Sequence, residues 1–338
     1  MIHQRRFEDA KKMKNELSLI TIYPNEIDFN SLYRAFEISL FLSENDTVSA
    51  RKAIEAVRGH AENTTPKNKY MYHYNLGSIN FQEKRYADAL SNYLIAYGIE
   101  DIDRSQEFQI NYCIAFSYYQ LGMHFKAIFK LKEIYFLYAK AKSNANQMSF
   151  FNLLGVNYLR INEIDESKVL LEKALDIAIA IKRDIYIGGC MQNLGHLAIK
   201  QGNFEKAMEY FKNAEDYLIE GQDVYCENIY YKILCMILMK DNASEIYISR
   251  AMLEYQDNEH YLMLFKCLHH FLFIKNDESA EFVQSKAIPY LIEKYEYSRA
   301  LEYCKRFKEQ MEKSNKKIKT LEIDAIALMI HQKMIGGA

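Results

Sequence analysis

The stretch 189–214 limits the possible folds of this chain more than any other. Gly195 is followed by Ala207 and then, one helical turn further on, by Phe211. This spacing suits two antiparallel helices that cross closely, because Gly and Ala leave room for the neighbouring backbone. Gly202 would form the turn between the helices, since glycine adopts a positive φ at little cost. Such a pair cannot cover its own apolar face, so it needs neighbouring copies for stability.

The same spacing recurs upstream, at a period of about 40 residues. Gly155, Ala115 and Gly77 occupy the crossing position in the three preceding copies. Ile38 marks a degenerate first copy, and the pattern weakens downstream until Ile288 begins a late copy. These are tetratricopeptide (TPR) repeats, at a period longer than the minimal one of about 34 residues. They predict an all-α fold, a TPR superhelical solenoid of antiparallel helix pairs.

The repeats also predict the domain organisation. Residues 1–30 are expected to form an N-terminal helix and linker. Residues 31–335 are expected to form one TPR peptide-binding domain of roughly seven to eight helical pairs, with a C-terminal capping helix. Pro66 is predicted at the first position of a helix, and Pro289 falls inside a late helix that it would kink.

The composition excludes several functional classes. A net charge of −2 argues against a dedicated nucleic-acid-binding protein, which carries a basic excess. The six cysteines form no CxxC pair, which is typical of reduced, buried thiols in a cytosolic protein. Neither a signal peptide nor a membrane-spanning run of about 18–20 apolar residues is evident. We therefore expect a cytoplasmic protein that has no contact with a membrane.

Catalytic and metal-binding motifs are missing from the sequence. It contains no HExxH, GxGxxG, phosphate-binding loop or GxSxG pattern. His269 and His270 are adjacent, so on a helix their side chains diverge by about 100° and make a poor ligand pair. We therefore expect that the chain is not an enzyme and that it binds no cofactor or metal.

The first helices of the repeats carry the candidate site, since they line the concave surface of a TPR solenoid. Asn75 and Asn193 stand at the same repeat position, immediately before Leu-Gly. Asn152 lies one position earlier in its repeat, level with Gln192. A carboxamide can donate to a peptide carbonyl and accept from a peptide N–H. A ladder of these side chains would therefore hold an extended peptide.

Other candidates follow the same face. Arg160 and Lys200 share one repeat position and would suit a peptide carboxylate. The remaining candidates are Tyr119, Gln120, Gln192 and His196. A structural interpretation stays open, in which the asparagines bond an adjacent helix and the polar residues are only solvated.

The repeat period, the paired Asn-Leu-Gly sequences at 75–77 and 193–195, and the Pro-poor, Tyr-rich composition resemble the cytosolic peptide-pheromone receptors of Firmicutes. This group comprises Rap, Rgg, NprR, PlcR and PrgX. The resemblance implies a quorum-sensing receptor that binds a short reimported signalling peptide through Asn193, Asn75 and Asn152. It also implies a dimer or tetramer whose oligomeric state switches to control transcription or sporulation, with a phosphorelay response regulator as a further partner.

Within that group the chain looks most like the TPR region of an NprR-type regulator without its helix–turn–helix domain. About 30 residues precede the first repeat, too few for that domain, so this chain itself is not expected to bind nucleic acid. The alternatives are a Rap-like modulator or phosphatase of a response regulator and a generic TPR scaffold. The apolar stretch 225–275 and the last helix predict self-association.

Overall fold

The computed structural model describes residues 27–59, 65–100, 104–135, 144–273, 281–294, 296–313 and 317–336, and the single positions 12 and 16. These residues form helices and turns, without a strand. None of the described helices is both long and apolar enough to cross a membrane. The predicted N-terminal helix and linker, 1–30, lie largely outside the described residues.

The described residues form sixteen α-helices. In chain order they are α1 (Ile27–Ser43), α2 (Thr47–Glu55), α3 (Pro66–Gln82), α4 (Tyr86–Tyr97), α5 (Arg104–Gln120), α6 (His124–Glu133), α7 (Asn144–Arg160), α8 (Ile164–Ala180), α9 (Asp184–Lys200), α10 (Phe204–Glu215), α11 (Asp223–Leu238), α12 (Ser244–Glu254), α13 (Glu259–Phe273), α14 (Ile288–Glu293), α15 (Tyr297–Lys313) and α16 (Lys317–Gly336). A π-helical turn, Val283–Ala287, leads into α14.

The chain separates into two compact units, 1–121 and 122–337. In the first unit α1 packs on α2, α3 on α4, and α4 on α5. In the second unit α7 packs on α8, α9 on α10, and α15 on α16. The helix pairs predicted from the repeats are therefore present, and the fold is an all-α TPR solenoid.

The predicted close crossings lie at the small residues of the first helices. A Cβ added at Gly195 would stand 2.5 Å from the ring of Phe211, and one at Gly155 would stand 2.9 Å from Leu171. The same restriction applies at Gly77. Separations this short are below any van der Waals contact, so these positions accept only glycine without a shift of the neighbour.

The turn between the two helices of a repeat has a shared backbone conformation. One residue of the turn has a positive φ in six successive repeats. The residues concerned are Asn45, Lys84, Gly122, Asn162, Gly202 and Lys240. In the sequence, this turn can be recognised only where glycine occupies the position. Asparagine and lysine also adopt a positive φ at a modest cost, but neither residue marks such a turn by itself.

The tyrosine-rich stretch 225–275 lies in the core of the second unit. Tyr230 and Phe265 are buried, and both belong to one apolar cluster that extends from α9 to α16. The prediction that these helices are buried is confirmed. Ile246 and Leu253 of the same stretch are exposed, and self-association of the chain stays a prediction.

Two prolines mark changes in helix geometry. Pro66 is the first residue of α3, as predicted, where a missing N–H costs no helical hydrogen bond. Pro289 is the second residue of α14, and Ile288 separates it from the π-helical turn Val283–Ala287. A wider turn can accommodate a residue that has no N–H and a bulky ring, so the helix adapts to the proline at this turn.

Gly195→Ala tests the crossing. We expect it to lower the free energy of unfolding by about 1–3 kcal/mol, because the added methyl group overlaps Phe211. Gly189→Ala in the same helix is the matched control, since nothing lies within 4 Å of a Cβ added there. The control should be neutral or stabilising by up to about 1 kcal/mol. Equal effects of the two substitutions in denaturant titrations would contradict the crossing.

His124 gives the second unit a dependence on pH. Its Nδ1 lies 3.0 Å from Oδ1 of Asn157, and burial lowers the pKa of the ring to about 4 from 6.5. The folded chain therefore binds this proton less readily than the unfolded chain, and stability falls as the pH drops below about 6.5. His124→Asn should remove about 2 kcal/mol of the loss between about pH 7 and about pH 5. Unfolding curves of the wild type and the variant at both pH values test this prediction. An equal loss of stability in the two proteins would refute it.

Candidate functional site

The predicted site residues lie on the first helices of both units. In the second unit, Asn152, Arg160, Gln192, Asn193, His196 and Lys200 lie on α7 and α9. In the first unit, Asn75, Tyr119 and Gln120 lie on α3 and α5. Their chemistry is described unit by unit.

Two predicted asparagines in the second unit bond to each other. Nδ2 of Asn193 donates to Oδ1 of Asn152 at 2.9 Å, which links α9 to α7. Both side chains are half-buried, while the neighbouring Gln192 is buried. A carboxamide has two donors and an acceptor with two lone pairs. The pair therefore joins the helices and keeps capacity for a bound peptide backbone.

His196 lies one residue beyond the glycine of the α9 crossing. Its ring centroid is 3.5 Å from that of Tyr231 and 5.9 Å from that of Phe211. Its Nε2 is shielded from solvent and has no hydrogen-bond partner among the described residues. Burial, followed by the charges of Arg160, Arg299 and Lys200, holds the pKa of His196 well below its ordinary value. The imidazole is therefore neutral in positively charged surroundings.

Arg160 and Lys200 are the last residues of α7 and α9, and both are exposed. Their charges also reach α15. Burial raises the pKa of the Glu302 carboxyl, but the cations Arg306, Arg160 and Lys200 outweigh this effect and lower it. Glu302 is bound to Arg306 at 2.6 Å. The structure thus brings the two predicted cations to one region of the second unit.

A second group of charges in this unit was not predicted. Arg299 binds Glu227 through two contacts of 2.8 Å and binds Glu296 at 2.7 Å. The guanidinium also lies 5.0 Å from the ring centroid of Tyr230. These residues belong to late repeats, where the sequence pattern is too weak to assign first-helix positions. Composition alone offered no signal for them.

The candidates of the first unit lie among aromatic side chains. Asn75 is buried in α3. Tyr119 stacks on Phe116 at a centroid distance of 6.1 Å, and Phe116 lies 4.9 Å from Phe81. Gln120 ends α5 and is half-buried. Phe81, Phe116 and Tyr119 therefore form a continuous aromatic contact between α3 and α5.

Among the described residues, no group of three or more His, Cys, Asp or Glu side chains could hold a metal ion. The six cysteines are free thiols, five of them buried, as their spacing predicted.

Comparison of the sequence with known proteins supports the repeat that was predicted around Gly195. The tetratricopeptide repeat family matches residues 189–217. The transcriptional activator NprA of Geobacillus stearothermophilus is 21% identical over 216 residues, which is 63% of this chain and 53% of that protein. This chain thus spans about half the length of the curated relative that it matches.

The similarity to solved structures covers almost the whole chain. A Rap protein in complex with Competence and Sporulation Factor has a TM-score of 0.86 at 14% identity, over 98% of this chain and 95% of that one. NprR in complex with its cognate peptide NprX has a TM-score of 0.75 at 17% identity, over 95% and 92%. The chain has the fold of a TPR solenoid. Its fold is that of the Rap and NprR group, as the sequence resemblance predicted.

The Asn193–Asn152 bond generates a prediction about stability. Asn193→Ala should lower the free energy of unfolding by about 0.5–1.5 kcal/mol, because it removes a partly buried hydrogen bond. In a double-mutant cycle with Asn152→Ala, the coupling should be at least about 0.5 kcal/mol. Asn213→Ala, at an exposed position of α10, is the control and should stay within about 0.5 kcal/mol. A coupling of zero would exclude this bond.

Proposed function

We propose that this chain is a receptor for a short signalling peptide, which binds along the first helices of its repeats. One observation carries the proposal. Half-buried carboxamides on successive first helices, Asn152 and Asn193, stand in a fold shared with two proteins that were solved with peptides bound.

The polar and apolar groups of α9 suit an extended peptide. Asn193 and Asn152 offer paired donors and acceptors to its backbone, which carries one N–H and one C=O per residue. His196 lies three residues after Asn193 in α9, its ring lies against that of Tyr231, and this pair would offer an apolar contact to a side chain. Main-chain bonds would supply affinity, while the contacts with side chains would supply selectivity.

The proposed receptor would act by changing its association with other chains. Binding of the peptide over the TPR domain, 31–335, would alter a homo-oligomer, dimer or tetramer, in the cytoplasm. That change would control transcription or sporulation. The chain would act without catalysis of its own and without binding nucleic acid itself.

A Rap-like modulator of a phosphorelay response regulator is the second candidate. The Rap structure carries this alternative, because its TM-score of 0.86 covers 95% of the Rap chain. In this version the peptide would regulate binding of a response regulator, or its dephosphorylation. Titration of the chain with a purified receiver domain, with and without peptide, separates the two. Receiver binding that the peptide abolishes would favour this candidate over the transcriptional one.

Peptide binding is tested by calorimetry. The probe is the tightest-binding sequence recovered from randomised pools of short synthetic peptides on the full chain. We expect Asn193→Ala to weaken its binding by about 5- to 150-fold, since hydrogen bonds to the peptide backbone are lost in a partly buried groove. Asn213→Ala should leave the affinity unchanged. Recovery of no peptide from any pool would overturn the proposed function, and unchanged affinity in Asn193→Ala would remove Asn193 from the site.

A further inference from the structure

Two groups of α9 donate to one oxygen of α7. Oδ1 of Asn152 accepts from Nδ2 of Asn193 at 2.9 Å and from the thiol of Cys190, whose Sγ lies 3.9 Å away. Cys190 and Asn193 are three residues apart, so they lie on the same face of α9. A carboxamide oxygen has two lone pairs, and the two contacts use both of them.

The thiol of Cys190 acts as the weaker of these donors. Cys190 is buried, and burial raises the pKa of its thiol to about 12. The thiol therefore keeps its proton at neutral pH, and an S–H group favours an oxygen over an NH2 group as its neighbour. Rotation of the Asn152 carboxamide by 180° would place its NH2 against this S–H. Cys190 thus helps to keep the oxygen of Asn152 turned toward α9.

The return bond between the two carboxamides is not formed. Nδ2 of Asn152 and Oδ1 of Asn193 make no hydrogen bond with a described residue. Neither atom is among the unpaired polar atoms that are shielded from solvent, so a ligand can reach both. The pair therefore has its free acceptor on α9, whereas Asn152 on α7 offers only donors.

From this arrangement we propose that the asparagine pair fixes the direction of the bound peptide, with Cys190 as a positioning residue. The inference rests on the proposed function and adds the orientation of the ligand. In an extended chain the N–H and the C=O of one residue point to the same side. That N–H would donate to Oδ1 of Asn193, and that C=O would accept from Nδ2 of Asn152. Because the N–H precedes the C=O along the chain, the N-terminal part of the peptide would lie toward α9 and the C-terminal part toward α7.

A purely structural role for the three side chains makes a different prediction. The two contacts would then only join α9 to α7, and their loss would lower stability without changing the affinity for any peptide. A carboxamide pair that rotates freely makes a third prediction, because it would present donors and acceptors on both helices and would bind a peptide in either direction.

The experiment replaces the backbone amides of a peptide by esters, one at a time. The probe is the tightest-binding sequence recovered from the randomised pools on the full chain. An ester at one residue removes its N–H, and an ester at the following residue weakens the C=O of the first as an acceptor. We expect two such adjacent esters to weaken binding in calorimetry by about 2- to 10-fold each, which corresponds to one hydrogen bond.

Double-mutant cycles then assign the two peptide groups to the two asparagines. The ester that removes the N–H should lose its effect in Asn193→Ala, and the following ester should lose its effect in Asn152→Ala. Asn213→Ala, at its exposed position in α10, should leave both effects unchanged. Coupling of the N–H to Asn152 and of the C=O to Asn193, or of both groups to both asparagines, would overturn the fixed direction.

Cys190→Ala tests the positioning role. We expect it to weaken binding of the unmodified peptide by about 2- to 5-fold, because Asn152 loses a donor that orients it. Cys190→Ser keeps a donor and should restore the affinity. Cys304→Ala removes a buried thiol from α15 and should leave the affinity unchanged. Melting curves report stability separately, and wild-type affinity in Cys190→Ala would refute a positioning role for Cys190.

Failure of this inference and failure of the proposed function are distinguishable. If peptides bind but no ester couples to either asparagine, the fixed direction is refuted and the proposed function stands. If no peptide is recovered from any pool, the proposed function and the fixed direction fall together.

Discussion

The close crossing of the two helices within a repeat is the contact on which the rest of the structure depends. At Gly195 the ring of Phe211 occupies the space that a Cβ would need, and that ring is completely buried. This approach fixes how α9 lies on α10. Asn193 and His196 flank Gly195 in the same helix, so the crossing also fixes where these polar side chains stand. Van der Waals contact at the seam therefore positions the candidate site.

Four asparagines on helices of the second unit are of two kinds. Asn157 and Asn228 are completely buried and donate to backbone carbonyl groups, those of Leu153 and Phe211, each at 2.8 Å. These donated bonds serve the fold, since a buried N–H group needs an acceptor. Asn152 and Asn193 are half-buried and bond to each other across a repeat boundary. Their contact with both a neighbouring helix and solvent is what a peptide-binding amide requires.

Charge is distributed unevenly over the second unit. Arg299 is enclosed by Glu227, Glu296 and the ring of Tyr230, so its geometry is fixed by two ion pairs and a cation–π contact. Arg160 and Lys200 stand exposed at helix ends. The enclosed charges thus belong to the degenerate late repeats, and the two exposed cations belong to the regular middle repeats.

The sequence by itself determined the repeat period, the crossing glycines and the helical pairs, because each depends on local spacing that recurs from copy to copy. It also placed the candidate residues on first helices. Only the tertiary structure decided that Asn193 bonds Asn152, 41 residues away and one position out of repeat register. Only the fold brought Tyr231 to His196 and buried Tyr230 and Phe265 of the tyrosine-rich stretch. These contacts depend on the rotation between successive repeats, which the spacing of residues within one repeat does not determine. They also involve late repeats, in which the repeat pattern is too weak to assign positions.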